Sequence, residues 1–160
     1  MATDKMNKFK IIITEQSLDL TELNHQVQSG EGEHGASVIF TGSVRVSKEE
    51  QGLVAMHLEH YPGMTEKALE IILNNAKSRW NINKALVVHR VGRLLPGEAI
   101  VFVGVCCLHR QAAFEATQYI MDFLKNRATF WKKEIYFNDG KNQEVWVEAK
   151  DSDEKALERW

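Results

Sequence analysis

HRQAAFEATQYIMDFLKNRATFWKKE, residues 109–134, is the stretch around which the rest of the chain arranges itself. Ala113, Ala116, Ile120 and Leu124 recur at helical spacing, with Phe114 and Met121 alongside, so one apolar helical stripe is predicted. The helix is expected to run into a lysine-rich turn at Lys132, Lys133 and Glu134. Its start reads Leu108-His109-Arg110, where Ser, Thr, Asp or Asn would ordinarily cap the free N–H groups. A cation there is unfavourable unless an anion joins it; a phosphate or carboxylate would satisfy the N–H groups and the guanidinium together. The plainer reading turns Arg110 to solvent and packs His109 locally. At the other end Lys125, Arg127, Lys132 and Lys133 suit the helix dipole as a solvated basic surface. Phe130 and Trp131 complicate that reading. An apolar wall would desolvate a lysine and lower its pKa from about 10.4 toward neutrality, fitting it for nucleophilic or acid–base work.

Working outward, Ala99–Leu108 is a nearly continuous apolar strand, expected to be buried on both faces and to feed this helix. Before it come a strand at Ala85–Val91 and the tight turn Leu95-Pro96-Gly97-Glu98. Met64–Trp80 reads as an amphipathic helix with Ala68, Ile72, Ala76 and Trp80 inward, opened by the turn Pro62-Gly63. Leu53–Tyr61 alternates as a half-buried strand, expected to pair with the preceding strand Ala36–Arg45, in which Gly42 suggests a bulge or close approach. Val46–Gly52 reads as a polar, mobile segment and 29–35 as a connector. Phe9–Thr14 is a first strand, and Ser17 is expected to cap a helix through Val27. Downstream, Ile135–Phe137 and Glu144–Glu148 form a hairpin around Asn138-Asp139-Gly140, and Asp151–Trp160 a last helix. The order β-α-β-β-α-β-β-α-β-β-α places strands next to strands. That argues against a doubly wound sheet and for an α+β fold with mostly antiparallel pairing.

At 160 residues, 44% hydrophobic and 26% charged, the chain reads as one ordinary globular domain. A net charge of −2 excludes general nucleic-acid affinity, so any basic patch is local. No apolar run is long enough to span a bilayer, and residues 1–10 do not read as a signal peptide, so the cytoplasm is the expected compartment.

Cys106 and Cys107 are the tempting nucleophiles. Adjacent strand residues point to opposite faces, and apolar surroundings raise a thiol's pKa, so both read as packing residues. His60 and His89 sit in or beside strands in core or surface roles. No histidine has metal-ligand spacing, and no nucleophile motif is present. What remains is a cationic set, Arg45, His109, Arg110, Lys125, Lys132 and Lys133, which suits a small, multiply anionic ligand.

Several stretches together resemble the large, catalytic subunit of molybdopterin synthase, the MoaE family: GASVIFTGSVR (35–45), LEHYPGMTEKAL (58–69), RW (79–80), HRVGRLLPGEAIVFVGV (89–105), residues 109–134, and WVEAKDSD (146–153). Residues 35–153 carry the family-like core; 1–34 form a variable strand-helix-loop and 154–160 the end of the last helix. The resemblance implies an α/β-hammerhead type of α+β fold and a homodimer. A small ubiquitin-like sulfur carrier at each end would complete a heterotetramer. The carrier's Gly-Gly thiocarboxylate would supply two sulfurs to cyclic pyranopterin monophosphate, building the dithiolene of molybdopterin, with no cofactor or metal of the enzyme's own. Carried over by position, Lys125 is the main catalytic lysine and Lys132 the second. Arg45, His109 and Arg110 match substrate-binding positions, and Lys133, next to the second lysine, is counted with them. Lys150 stands where many members have arginine, and Thr129 where the family often has proline, which would leave the lysine turn less rigid. The alternative reading is a phosphopterin- or nucleotide-binding protein on the same scaffold, without catalysis.

Overall fold

β6 (Ala99–Cys107) sits inside a four-stranded sheet and is buried from Val101 onward, because its near-continuous apolar run is wetted on neither face. The computed structural model describes residues 7–46, 52–148 and 150–160. Along them run β1 (Phe9–Thr14), α1 (Leu20–Gln28), β2 (Ala36–Ser43), β3 (Leu53–His60), α2 (Met64–Arg79) and β4 (Ile82–Arg90). Then follow β5 (Gly92–Leu94), β6, α3 (Arg110–Arg127), β7 (Phe130–Asn138), β8 (Lys141–Val147) and α4 (Asp151–Leu157). The first sheet has the order β1-β4-β6-β2, with only β1 and β4 parallel. The second, β5-β3-β7-β8, is antiparallel throughout. The α+β expectation therefore holds. β5 is the one strand the sequence pattern did not announce, since three residues are too few to show a period.

The period of two divides the core. Val101, Val103, Val105 and Cys107 pack with α2 and α3 on one face of the first sheet. Phe102 and Cys106 meet Leu23 and Val27 of α1 on the other. Gly104 allows that approach: a Cβ there would lie 2.4 Å from Val27 Cγ2. A smaller cluster, Val44, Met56, Leu58 and Leu94, joins the two sheets.

Several expectations are corrected. β3 does not pair with β2; its neighbours are β5 and β7, while β2 gives its inner edge to β6 and is left as the outer strand of its sheet. Asp19, not Ser17, caps α1, accepting from the Glu22 N–H at 3.0 Å. The buried stripe of α2 is Thr65, Leu69, Ile72, Leu73 and Ala76, with Ala68 at its margin. Phe114 is 63% exposed, because the inward stripe of α3 turns toward Thr117 and Tyr119 instead. The supposed lysine turn is the start of β7. Phe130, Trp131, Ile135, Tyr136 and Phe137 favour a pleated strand over a continued helix. The last helix ends at Leu157, short of Trp160.

Gly42 does mark an irregularity, a register shift at Gly42/Ser43. Asp139-Gly140 forms the expected two-residue hairpin, with φ of 49° and 74° as a type I′ turn requires. Residues 47–51 of the polar segment expected over 46–52 lie outside the described residues, as do residues 1–6 and Ala149.

Candidate active site at the C-terminal end of helix α3

Lys125 stands exposed in the last turn of α3, five residues before β7 begins. The connection is anchored from α2. Thr65, fully buried, places its Oγ1 2.7 Å from the Thr129 hydroxyl and 3.1 Å from the Thr129 carbonyl oxygen. Thr65 Oγ1 also accepts the Tyr61 N–H at 3.1 Å. Thr129 is thus fixed by hydrogen bonds where a proline ring would have fixed it covalently. These bonds oppose the loss of rigidity expected from the missing proline. Thr65→Val, which keeps the shape and removes the hydroxyl, is expected to lower unfolding stability by about 1–2 kcal/mol in urea titration, and Thr65→Ser to recover most of it.

β7 then carries two lysines in succession, and alternation sends them to opposite faces. Lys132 lies opposite Leu58 of β3 and Val147 of β8, on the face that packs toward Val44. Its Nζ is 3.7 Å from Glu134 Oε1, and the Tyr136 hydroxyl donates to the other Glu134 oxygen at 2.5 Å. Lys133 lies opposite His57 and Trp146. Its ammonium is 3.0 Å from Glu144 Oε2 and 5.1 Å from the centre of the Trp146 ring. The two cannot share a pocket. Nor does Phe130 form a wall beside a lysine: it stacks on His89 at 3.9 Å between ring centres.

Arg45 arrives from the first sheet. It follows Val44, whose N–H donates to the Glu98 carbonyl and whose carbonyl accepts the Gly97 N–H, both at 2.9 Å. The turn that grips Val44 is itself held. Glu98 Oε2 accepts the Leu95 N–H at 2.6 Å and lies 3.4 Å from Nη1 of the buried Arg90. The Leu95 N–H, and behind it the Arg90 charge, keep the Glu98 carboxyl below the usual carboxylate range. Glu98→Gln keeps an acceptor for Leu95 but loses the ion pair. It is expected to raise KM for an anionic substrate several-fold while leaving kcat nearly unchanged, a split that steady-state kinetics reads directly.

Lys150 joins from the other side. It precedes α4, and Asn126, the neighbour of Lys125, donates to the Asp153 carbonyl of α4 at 2.7 Å. Trp160 pins the same helix pair, stacking edge-on with Trp80 and Tyr119 and donating from Nε1 to Asp122 at 2.9 Å. Lys125, Lys132 and Lys150 therefore lie on the adjoining segments where α3 ends, β7 starts and α4 begins, while Arg45 follows Val44, which packs with Leu58, the β3 partner of Lys132. A cleft of about 630 Å³ runs along the α3–α4 seam, lined by Asp151, Glu154 and Glu158 as well as by Arg127 and Lys155, so its charge is mixed rather than cationic.

His109 and Arg110 do not join this group within one chain. They are exposed at the opposite end of α3, an 18-residue helix and so about 27 Å long. His109 is the N-cap in extended conformation without a capping side-chain bond, and the first turn holds no acidic residue. The helix start is as uncompensated as the sequence implies.

The family profile described as "MoaE protein" matches residues 13–127. The chain belongs to the MoaE family. It is 46% identical over 155 residues to the molybdopterin synthase catalytic subunit of Escherichia coli K12, covering 97% of this chain and all of that one. It is 53% identical over 128 residues to the counterpart from Yersinia pestis, covering 80% of this chain and 82% of that one. Among solved structures, the molybdopterin cofactor biosynthesis protein E of Burkholderia multivorans superposes with a TM-score of 0.77 at 39% identity, over 94% and 95% of the two chains. Molybdopterin synthase from Staphylococcus aureus gives 0.76 at 27% identity, over 89% and 98%.

Both cysteines of this MoaE chain are unsuited to carrying sulfur. They are fully buried on opposite faces of β6, and burial pushes the thiols up, that of Cys107 to about 11. The Cys106 thiol donates to the Val27 carbonyl at 3.3 Å. Among the described residues no cluster of His, Cys, Asp and Glu could hold a metal ion, and no helix is long and apolar enough to cross a membrane. Thr65, Arg90, Glu98, Asn126 and Glu134 support the site and were not singled out from sequence. Thr65 and Thr129 lie 64 residues apart, and no local pattern announces such a contact.

Proposed function

We propose that this chain is the catalytic subunit of a molybdopterin synthase, passing sulfur from the C-terminal thiocarboxylate of a small ubiquitin-like carrier to cyclic pyranopterin monophosphate. Family membership makes it an enzyme subunit of molybdenum cofactor biosynthesis. What supports the finer reading is the placement of Lys125, Lys132 and Lys150 on the adjoining ends of α3, β7 and α4, with Arg45 linked to Lys132 through Val44 and Leu58. Both reactants are anions, and fixed cations there hold them together and stabilise charge as it develops. Lys125, which makes no ion pair among the described residues, is the group that meets the acyl carbon, either polarising it and moving protons or attacking it through its amine. Lys132, steadied by Glu134, is the second. Arg45 and Lys150 hold the phosphate. Lys133 is engaged by Glu144 and Trp146 and steadies β8 rather than touching substrate. The relative from E. coli is named a catalytic subunit, which supports a separate sulfur-bearing partner, and the two unpaired thiols suit a reducing cytoplasm.

His109 and Arg110 complete the site from a second copy of the chain, because about 23 Å of helix separates Arg110 from Lys125 in their own. Mixing two inactive variants tests this. Lys125→Ala and Arg110→Ala, combined under conditions that exchange protomers, are expected to recover about a quarter of wild-type turnover, since half the dimers are mixed and each has one intact site. No recovery would return both residues to one protomer. A protein that only bound the phosphopterin would bind the pterin in these assays and form no dithiolene.

A further inference from the structure

α4 does not hold its own place. It has 7 residues, too few to be helical unaided, and none of them is buried. Its position comes from ties to α3. Beyond its far end the Trp160 indole donates to Asp122 and packs edge-on against Trp80 and Tyr119. At its near end the tie is Asn126.

Asn126 is half-buried in the last turn of α3, directly after Lys125. Its amide nitrogen donates to the Asp122 carbonyl, one turn back, and to the Asp153 carbonyl of α4, both at 2.7 Å. Two carbonyl oxygens accept only from a donor, so an amide fits there and a carboxylate would not. Asp153 passes the connection on: its own N–H donates to the Lys150 carbonyl at 2.9 Å. An unbroken path of backbone and hydrogen bonds thus runs from the residue after Lys125 to the backbone of Lys150.

That path matters because of the chemistry of lysine. An arginine fork aligns itself on a phosphate through paired hydrogen bonds, whereas an ammonium is a point charge on a flexible stem. Lys150 is exposed, and no ion pair among the described residues steadies it. Its charge is therefore placed by its backbone.

We propose that Asn126 is a positioning residue: through Asp153 it fixes Lys150 relative to Lys125, and so sets how tightly the site holds the phosphate of its substrate. This inference rests on the phosphate role proposed above for Lys150 and names the side chain that makes that role effective.

The test measures KM and kcat for cyclic pyranopterin monophosphate at saturating thiocarboxylated carrier. It compares the full wild-type chain with Asn126→Ala, Asn126→Ser, Lys150→Ala and the Asn126→Ala, Lys150→Ala double variant. Asn126→Ala is expected to raise KM about two- to ten-fold, the worth of one hydrogen bond, with a smaller change in kcat. Serine can still bond back to the Asp122 carbonyl within the helix but is too short to reach Asp153, so it should behave as alanine does. In the Lys150→Ala background the alanine change should add nothing, because its effect passes through Lys150. A wild-type KM in Asn126→Ala or Asn126→Ser, beside a raised one in Lys150→Ala, would overturn this inference and leave the phosphate role standing. So would an Asn126→Ala effect that persists undiminished without the Lys150 side chain. A wild-type KM in Lys150→Ala would overturn both.

Discussion

Lys125→Ala is expected to lower turnover about a hundred- to a thousand-fold, the range for removing one group that meets developing charge at a reacting carbonyl. Folding should be unaffected. The side chain is exposed in the last helical turn and is engaged in no ion pair among the described residues, so its removal should change unfolding stability by less than about 0.5 kcal/mol. Urea titration beside the turnover assay checks both halves. Lys125→Arg separates the candidate roles of the amine. A guanidinium retains charge but neither attacks an acyl carbon nor releases a proton near neutrality. Substantial activity in the arginine variant would assign Lys125 to electrostatic holding; loss equal to that of alanine would assign it to covalent or proton-transfer chemistry. Lys132→Ala should fall between, because Glu134 keeps the Tyr136 hydroxyl as a partner when the lysine is gone.

Acid should destabilise the fold through His89. Its ring is buried against Phe130, and Nδ1–H donates to the Arg90 carbonyl at 2.8 Å. Burial, with a smaller push from His60, lowers its pKa to about 4 despite the opposing hydrogen bond. Above the unfolded value of about 6.5 both states are neutral and the stability is fully present. Between there and about 4 the unfolded chain takes up a proton that the native ring refuses, so stability falls as pH falls. The whole loss is about 3 kcal/mol, of which about 2 kcal/mol should appear between pH 7 and pH 5. His89→Phe keeps the stack and cannot titrate. Its stability should be nearly flat over that interval, where the carboxylates lowered by their own partners, Glu33, Glu98 and Glu115, have yet to protonate. An equal slope in wild type and variant would assign the acid sensitivity elsewhere.

What the sequence could express was governed by distance along the chain. β6 and the stripe of α3 were legible because burial on two faces and a period of 3.6 are local patterns. The hairpin at Asp139-Gly140 was legible because its backbone needs those residues. β3 was paired with the wrong strand because adjacency is only a tendency. The decision lay in β7, some 70 residues downstream, whose aromatic and β-branched run was itself mistaken in part for a turn. Of the candidate site, each cation was proposed by position, but position does not say which of them lie near one another. Lys132 and Lys133 part company through strand alternation. His109 and Arg110 part from Lys125 through the length of α3. Lys150 gains its place through Asn126 and Trp160, contacts that no spacing rule contains.

Labelling the carrier's thiocarboxylate with heavy sulfur, and weighing the pterin formed in a single turnover with the purified chain, tests the central claim most directly. The account predicts a dithiolene in which both sulfurs carry the label, with none passing through Cys106 or Cys107, so that a Cys106→Ala, Cys107→Ala variant gives the same product. A pterin that leaves the enzyme without labelled sulfur, or labelled sulfur found on either cysteine, would contradict it.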